Sequence, residues 1–347
     1  MALTILDIAK LSGVSTGTVS NVLNNSVKVS SKTKSKVIRV INEVGYIPNV
    51  HARRLQKGKT GCIGILFSPF VNNTILDSFY LKVFCEMNIA VKEKGNALTY
   101  AYISDEMLKE KIFPEFIRAR SVDRLIILNC IYDREYLFEL KRMGFPIVLI
   151  DDLIENSGFT CIYPDNKKGA KELTEYLINL GHEYIGFIDG PNEYAYNRDR
   201  FEGYREILNE SGIKLNTNFV ENVKQFSMAE GYHATKRLLN KEKRLTAIFC
   251  VCDDLAIGAM RAAQEMEYRV PQDLSIVGFD DLEVSQFLNP PLTTVRIPRE
   301  TIGRLAIETI TNNTEQSYIQ KREKNKIIVT VKLVIRNSCT IPKKQNS

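Results

Sequence analysis

The 347 residues contain no tryptophan and only three histidines, His51, His182 and His233. The seven cysteines are odd in number and form no Cys-x-x-Cys pair. Metal-site spacing is therefore absent, and cysteines set inside apolar runs, such as Cys250 and Cys252, read as reduced core thiols. No run approaches the roughly 18 consecutive apolar residues that a membrane helix needs. The opening Met1-Ala2-Leu3-Thr4 lacks a charged segment followed by an apolar one, so a cytoplasmic protein with no membrane contact is expected. Also missing are a Gly-x-Ser-x-Gly elbow, a Gly-x-x-x-x-Gly-Lys-Ser/Thr phosphate loop and any His-centred constellation. The chain therefore reads as a non-enzyme, with no catalytic residues, no cofactor and no metal.

What is present is a globular composition, 44 % apolar and 25 % charged. At about 150 residues per domain this length allows two or three domains. The formal net charge of +6 is unevenly placed. Residues 1 to 60 carry ten basic side chains and two acidic ones, a net +8, which leaves −2 for all the rest. Such asymmetry points to a polyanion partner, either nucleic acid or an anionic surface.

Residues 1 to about 46 hold three short helical patterns, and 47 to 60 are basic and polar. From Cys62 onward, short β-rich runs alternate with amphipathic stretches. Ile63-Phe67, Ala97-Tyr102, Leu125-Leu128, Ile147-Ile150, Tyr184-Ile188, Ala247-Val251 and Ser275-Phe279 read as buried parallel strands. Helices are expected around 79–94, 104–118, 167–180, 199–211, 228–239 and 254–266. Strands alternating with helices indicate a doubly wound α/β sheet. In such sheets ligands sit at the carboxyl ends of the strands. Gly190-Pro191-Asn192 and Asp280-Asp281 fall there, where ordinary turn residues would serve equally well.

Leu6 to Asn24 match a helix-turn-helix unit. Ala9 is small where two helices cross, Gly13 suits the left-handed turn, and Ser15 is a natural N-cap. Val19, Val22 and Leu23 share one face of the second helix, leaving Thr16, Gly17, Ser20, Asn21 and Asn24 on the other. A third helix follows Ser30 or Ser31, with Val37, Ile41 and Val44 inward and Lys32, Lys34 and Lys36 placed to meet phosphates.

Asp7-Ile8-Ala9, Gly13-Val14-Ser15, Thr18-Val19-Ser20 with Val22-Leu23-Asn24, and Gly45-Tyr46-Ile47-Pro48-Asn49 with Ala52-Arg53-Arg54-Leu55 together resemble the head and hinge of LacI/GalR bacterial transcription repressors. Downstream, Asp165-Asn166, Gly181-His182, Gly190-Pro191, Arg200-Phe-Glu-Gly203-Tyr204, Cys252-Asp253, Val277-Gly278-Phe279-Asp280-Asp281, Pro291-Leu292-Thr293-Thr294 and Leu333-Val334-Ile335-Arg336-Asn337-Ser338 follow in family order. The resemblance thus spans nearly the whole chain.

It implies a three-helix helix-turn-helix head at 1–46, a hinge helix and linker at 47–60, and a two-lobed α/β body of the periplasmic-binding-protein type I fold at 61–347. Lobe 1 would hold about 61–162 and 292–325, and lobe 2 about 163–291 and 326–340. The chain would cross between lobes near 162, 292 and 325. In the family, bases are read from positions that fall on Thr16, Gly17 and Asn21; glycine departs from the family's long polar residue there, and Asn21 from its arginine. Thr4, Ser15, Thr18, Ser20, Asn24, Ser30, Thr33, Tyr46, Asn49, Ala52 and Arg53 complete the implied DNA contacts. Leu55 is the implied minor-groove wedge.

The same resemblance assigns an effector to a cleft between the lobes, touched by Arg200, Asp280, Phe226, Phe79 and Tyr80, and also by Asn129, Asp151 and Cys252. A guanidinium fork, carboxylate acceptors and an aromatic face suit a sugar ring. A sugar or sugar phosphate is thus the expected effector, although the loop Ser68 to Ser78 looks long for the family. The partners implied are double-stranded operator DNA and a second copy of the chain, because one recognition helix reads too few bases. A tail of eleven residues after Arg336 without leucine heptads favours a dimer over a tetramer. Two alternatives remain: control by a phosphorylated partner protein, and a solute-binding protein, against which the basic head and absent signal peptide both weigh.

Overall fold

In the head, local capping chemistry sets where each helix starts and stops. The computed structural model describes residues 3–23, 29–46, 59–67, 78–128, 133–154, 157–191, 193–311, 321–323 and 325–343. Among them, helix α1 (Ile5–Ser12) starts where the Asp7 carboxylate reaches back to Thr4, accepting its backbone N–H at 2.9 Å and its hydroxyl at 2.7 Å. These Thr4 hydrogen bonds hold the Asp7 carboxyl below its ordinary pKa. Gly13 ends α1 at φ +63°, a conformation that costs glycine little, and the Val14 N–H closes back on the Ala9 carbonyl at 3.1 Å. Ser15 then caps α2 (Thr16–Leu23), its hydroxyl accepting the Thr18 N–H at 3.1 Å. Of the two serines expected to cap α3 (Ser31–Val44), Ser30 does so, through the Thr33 N–H. Ile8, Ala9, Val19, Val22 and Val37 form the core that these helices share.

The chain divides after Gly61. In the body, β1 (Cys62–Phe67), β2 (Ala97–Tyr102), β3 (Arg124–Leu128), β4 (Ile147–Ile150) and β5 (Thr160–Pro164) pair in parallel with β12 (Lys326–Val329), and β11 (Lys321–Glu323) adds an antiparallel edge. The sheet order is β11-β12-β5-β4-β3-β1-β2. Ile63, Ile65 and Phe67 enter one apolar cluster and Leu66 another; Ile126 and Leu128 are likewise separated from Leu125 and Ile127. Burial on both faces explains why these strands read as continuous apolar runs. Helices α4 (Ser78–Glu93) and α12 (Arg299–Ile310) pack together on the first face, while α7 (Arg134–Arg142) covers the second with Tyr136, Leu137 and Leu140.

A second, four-stranded parallel sheet has the order β7-β6-β8-β9, built from β6 (Ile185–Asp189), β7 (Val220–Asn222), β8 (Ala247–Cys250) and β9 (Ser275–Val277). Around it lie α8 (Asn166–Asn179), α9 (Ala195–Glu210), α10 (Met228–Lys241) and α11 (Asp253–Glu265). α10 and α11 cross so closely that a Cβ on Gly258 would overlap the Met228 carbonyl oxygen. β10 (Thr294–Arg296) and β13 (Lys332–Val334) pair antiparallel with each other.

Several expectations need correction. The last crossing was expected near 325, with 326 onward in the second lobe. Instead Lys326–Val329 pairs with Thr160–Pro164, burying Ile327 and Val329 in the first lobe, so the crossing follows Val329. The single helix expected over 104–118 is two, α5 (Asp105–Lys109) and α6 (Glu115–Arg118), because Pro114 cannot continue a helix and Lys111 takes φ +53°. The strand expected over Ser275-Phe279 ends at Val277. β5, α7 and α12 were not expected at all. The hinge positions Asn49, Ala52, Arg53 and Leu55, together with Asn24, Asn129 and most of the Ser68–Ser78 loop, lie outside the described residues. Among the described residues no helix is long and apolar enough to cross a membrane.

His182 ties the chain's last described segment to the second sheet. Its ring nitrogens lie 2.9 Å from the Thr246 hydroxyl and 3.0 Å from the Thr340 carbonyl, and burial depresses its pKa to about 4. Below pH 6.5 the unfolded chain takes up a proton that the folded one refuses, so this stability is present above that pH and is lost on acidification. Between pH 7 and pH 5 the loss is about 2 kcal/mol. In urea unfolding, the stability difference between the native chain and His182→Gln should shift by that amount against the native chain over this interval. A difference independent of pH would refute the assignment.

Candidate functional site

On the head, Thr16, Gly17 and Asn21 are exposed along α2, while Thr18 and Ser20 are half-buried. The Thr18 hydroxyl lies 2.9 Å from Ser15 Oγ, and the Thr33 hydroxyl 3.0 Å from Ser30 Oγ. Tyr46 packs against the head core. Thr4, Ser15, Thr18, Ser30 and Thr33 therefore shape helix ends in their own right. Thr16, Gly17 and Asn21 form the open face.

In the body, the carboxyl ends of the strands converge on a cleft of about 500 Å³, counting its open mouth. Phe79 and Tyr80 reach it from α4 and Asp151 from the end of β4. Arg200, Phe226, Cys252 and Asp280 come from the second lobe. Seven of the eight expected effector residues thus share one cavity, and Asn129 is the one outside the described residues. Three more lining residues, Tyr196, Asp254 and Leu282, were not foreseen. Tyr196 lies one helical turn before Arg200, so it shares that residue's helix face, whereas Asp254, two residues after Cys252, has no such periodic signal.

Arg200 organises the second-lobe wall. It is buried, donating from Nε to Asn166 Oδ1 at 2.9 Å and from Nη1 to the Val251 carbonyl at 2.6 Å. Its Nη2 meets Asp280 Oδ1 at 3.1 Å. The guanidinium lies 3.9 Å from the centroid of the Phe279 ring and 5.2 Å from that of Tyr196. Both members of this ion pair belong to the second lobe, so it shapes one wall and does not tie the lobes together. Phe226 packs at 5.4 Å from Tyr194 and 6.0 Å from Tyr196, and a Cβ on Gly190 would collide with its ring. Glycine is required there by close approach.

Asp280 and Asp281 divide their roles. Asp280, at φ +114°, faces the cleft. Asp281 is buried and clamped by Arg296 Nε and Arg336 Nη2, each at 2.6 Å. Asp151, at φ +60°, accepts the Tyr80 hydroxyl at 3.1 Å. Burial raises Asp189 to about 6, although the Gly190 N–H opposes the shift. Burial and neighbouring carboxylates hold the Cys252 thiol well above its ordinary pKa, which makes it a neutral wall atom. Tyr163, at the end of β5, donates to Asp199 Oδ2 on α9 at 2.8 Å, a hydrogen bond that spans the two lobes.

Residues 4–49 match the model of bacterial regulatory proteins of the lacI family, and residues 174–339 that of the periplasmic binding protein-like domain. The chain is 33 % identical over 337 residues to a probable HTH-type transcriptional repressor ExuR of Bacillus subtilis, covering 96 % of this chain and 98 % of that one. It belongs to the LacI family of bacterial regulatory proteins. As such it is a DNA-binding transcription regulator. Solved structures of similar proteins include the lac repressor dimer bound to operator and the anti-inducer ONPF, at TM-score 0.82 and 26 % identity over 98 % of this chain and all of that one. Another is the transcriptional regulator CelR in complex with cellobiose, at TM-score 0.71 and 29 % identity over 97 % and 99 % of the two chains.

The regulator's Arg200 engages three partners through three separate nitrogens of one rigid planar fork, a spread that the compact ammonium of a lysine cannot match. Arg200→Lys should therefore lower the body's unfolding free energy by about 2–3 kcal/mol, read by denaturant unfolding. A variant as stable as the native chain would show that these bonds contribute nothing in the ligand-free state.

Proposed function

We propose that this regulator represses transcription as a homodimer on a pseudo-palindromic operator, and that a sugar or sugar phosphate in the cleft changes its operator affinity. The observation that carries the effector reading is the cleft itself. Arg200 and Asp280 are paired there and share the lining with Phe79, Tyr80, Tyr196 and Phe226, a mixture of hydrogen-bonding groups and aromatic rings suited to a polyhydroxyl ring. The CelR complex with cellobiose and the lac repressor complex with operator are consistent with both halves of the proposal.

In the head, Thr16 and Asn21 are the proposed base readers, with Gly17 leaving room between them. Asparagine can pair bidentately with an adenine edge, worth about 1–3 kcal/mol of discrimination. Ser15, Thr18, Ser20, Ser30, Thr33, Thr4 and Tyr46, with Lys32, Lys34 and Lys36, would meet the backbone, and Leu55 would wedge the minor groove. The regulator would act in the cytoplasm, where its DNA lies. For the second copy, the body offers an exposed apolar rim: Phe287 is 75 % exposed and Val284 43 %, beside a groove bordered by Ile257, Met260 and Leu288.

Operator selection followed by fluorescence anisotropy tests this reading. Affinity for the selected operator should fall roughly a thousandfold from about 50 to 200 mM salt, while sugar affinity stays within about twofold. Asn21→Ala should relax discrimination at one symmetric pair of base positions. Uniform weakening on all sequences would reduce Asn21 to a backbone contact. Phe287→Asp should shift the protein toward monomers in light scattering and weaken operator binding in parallel, and an unchanged dimer would place the interface elsewhere.

A further inference from the structure

Asp280 and Asp281 sit on backbone that is built onto the strands between the lobes. β10 leads from the second lobe to α12 in the first, β13 leads back, and the two pair antiparallel. The Gly278 N–H donates to the Thr293 carbonyl at 3.0 Å and the Asp280 N–H to the Val295 carbonyl at 2.8 Å, so the segment that carries Asp280 runs along β10. There Asp280 and Asp281 stand at φ +114° and +54°, two successive non-glycine residues in the left-handed region.

Asp281 is buried and does not line the cleft, yet all four of its polar atoms are held by segments that join the lobes. Its carboxylate oxygens accept from Arg296 Nε on β10 and from Arg336 Nη2 just past β13, each at 2.6 Å. Its carbonyl accepts from Arg299 Nη2, at the start of α12, at 2.7 Å, and its N–H donates to the Thr294 hydroxyl at 3.4 Å. Arg299 in turn lies 5.9 Å from the ring centroid of Phe79, which lines the cleft from the first lobe. Arg200 reaches the remaining connection, because its Nε donates to Asn166, just beyond the first crossing, and Asn166 Nδ2 donates to the Pro164 carbonyl at 3.1 Å. The Arg200–Asp280 pair on the cleft wall therefore meets all three connections, with the Asp281 side chain as the charged tie to two of them.

We propose that Asp281 is a positioning residue that transmits the state of the cleft to the strands between the lobes, so that operator affinity answers to the effector. This rests on the cleft being the effector site, and it adds how occupancy of that site is read. A ligand that engages Asp280 acts on backbone shared with Asp281. A buried carboxylate gripped by two guanidiniums passes a displacement on to both strands, because charge-assisted bonds of this kind are short and strong. Coupling between separate sites needs such an element, one that both sites bias. In Asp281→Asn the amide keeps the size and one acceptor, but it loses the charge and turns an NH2 group toward one of the guanidiniums.

The test measures coupling on the full-length protein. Ribose, glucose, cellobiose, gluconate, glucuronate and glucose 6-phosphate are screened by thermal shift, and the one that stabilises the native chain most becomes the probe. Calorimetry gives its affinity, and fluorescence anisotropy gives operator affinity with and without it. The native ratio of the two operator affinities should be at least about fivefold. In Asp281→Asn that ratio should fall below about twofold while the sugar's dissociation constant stays within about threefold of native. A merely structural role would lower the melting temperature and leave the ratio in place. Arg296→Gln alters a half-exposed side chain, cuts one tie and should give an intermediate ratio. A folded Asp281→Asn variant with the native ratio would overturn the proposal while leaving the cleft as the effector site. Sugar affinity that falls along with the ratio would also overturn it, by making Asp281 a support of the binding wall. If Asp281→Asn does not fold, an unchanged ratio in Arg296→Gln overturns it. Binding by no sugar of the panel, or binding that leaves the native operator affinity unchanged, would overturn the effector reading and this one with it.

Discussion

The second lobe is organised around the Asp253 carboxylate, which is fully buried and receives three donors from separate segments. Taking a carboxylate out of water is expensive unless donors replace the lost hydration. Here the Leu282 N–H comes from the turn after β9, the Ser285 hydroxyl from the short 3-10 turn Glu283–Gln286, and the Thr294 hydroxyl from the crossing strand β10. Burial still holds the group up at about 6. One side chain therefore fixes the start of α11, the turn that follows Asp280 and Asp281, and the strand leading back to the first lobe. Cys252, Asp254, Asp280 and Leu282 line the cleft within two residues of these anchors.

The cleft also stores backbone strain. Asp151 and Asp280 both adopt positive φ, and both stand just beyond strands of parallel sheets, where side chains can be presented to a ligand. A non-glycine residue held in a sparsely populated conformation costs about 1–3 kcal/mol and persists only where its surroundings determine it. For Asp280 the surroundings are Arg200 on one side and, through Asp281, Arg296 and Arg336 on the other. For Asp151 they include the Tyr80 hydroxyl.

Much of this was legible in the sequence, for physical reasons that differ by region. The head could be read almost to the residue because capping and turn chemistry are local: Gly13, Ser15 and Ser30 act within a few residues of themselves. The buried strands could be read because a sheet covered on both faces demands unbroken apolar runs. α7 escaped because its buried Tyr136, Leu137 and Leu140 are interleaved with Arg134, Glu135, Glu139, Lys141 and Arg142, so its composition is that of a surface loop. β12 was assigned to the wrong lobe because strand pairing across about 160 residues leaves no local mark; only the register with Thr160–Pro164 decides it. In the cleft, Arg200 and Asp280 stood in recognised motifs. Tyr196 and Asp254 owe their place to helices whose exact phase the sequence pattern left open.

The Tyr163–Asp199 hydrogen bond has a mechanical consequence. Tyr163 precedes the first crossing between the lobes by only two residues, so this bond stands beside the pivot about which any relative rotation of the two sheets turns. A point near a pivot travels little when the arms swing. Rotation that carries Phe79 and Tyr80 away from Phe226 through a wide arc at the cleft mouth would leave this half-buried contact nearly unstretched. The lobes can thus keep this fastening near the pivot while the opposite edge stays free to answer to whatever occupies it.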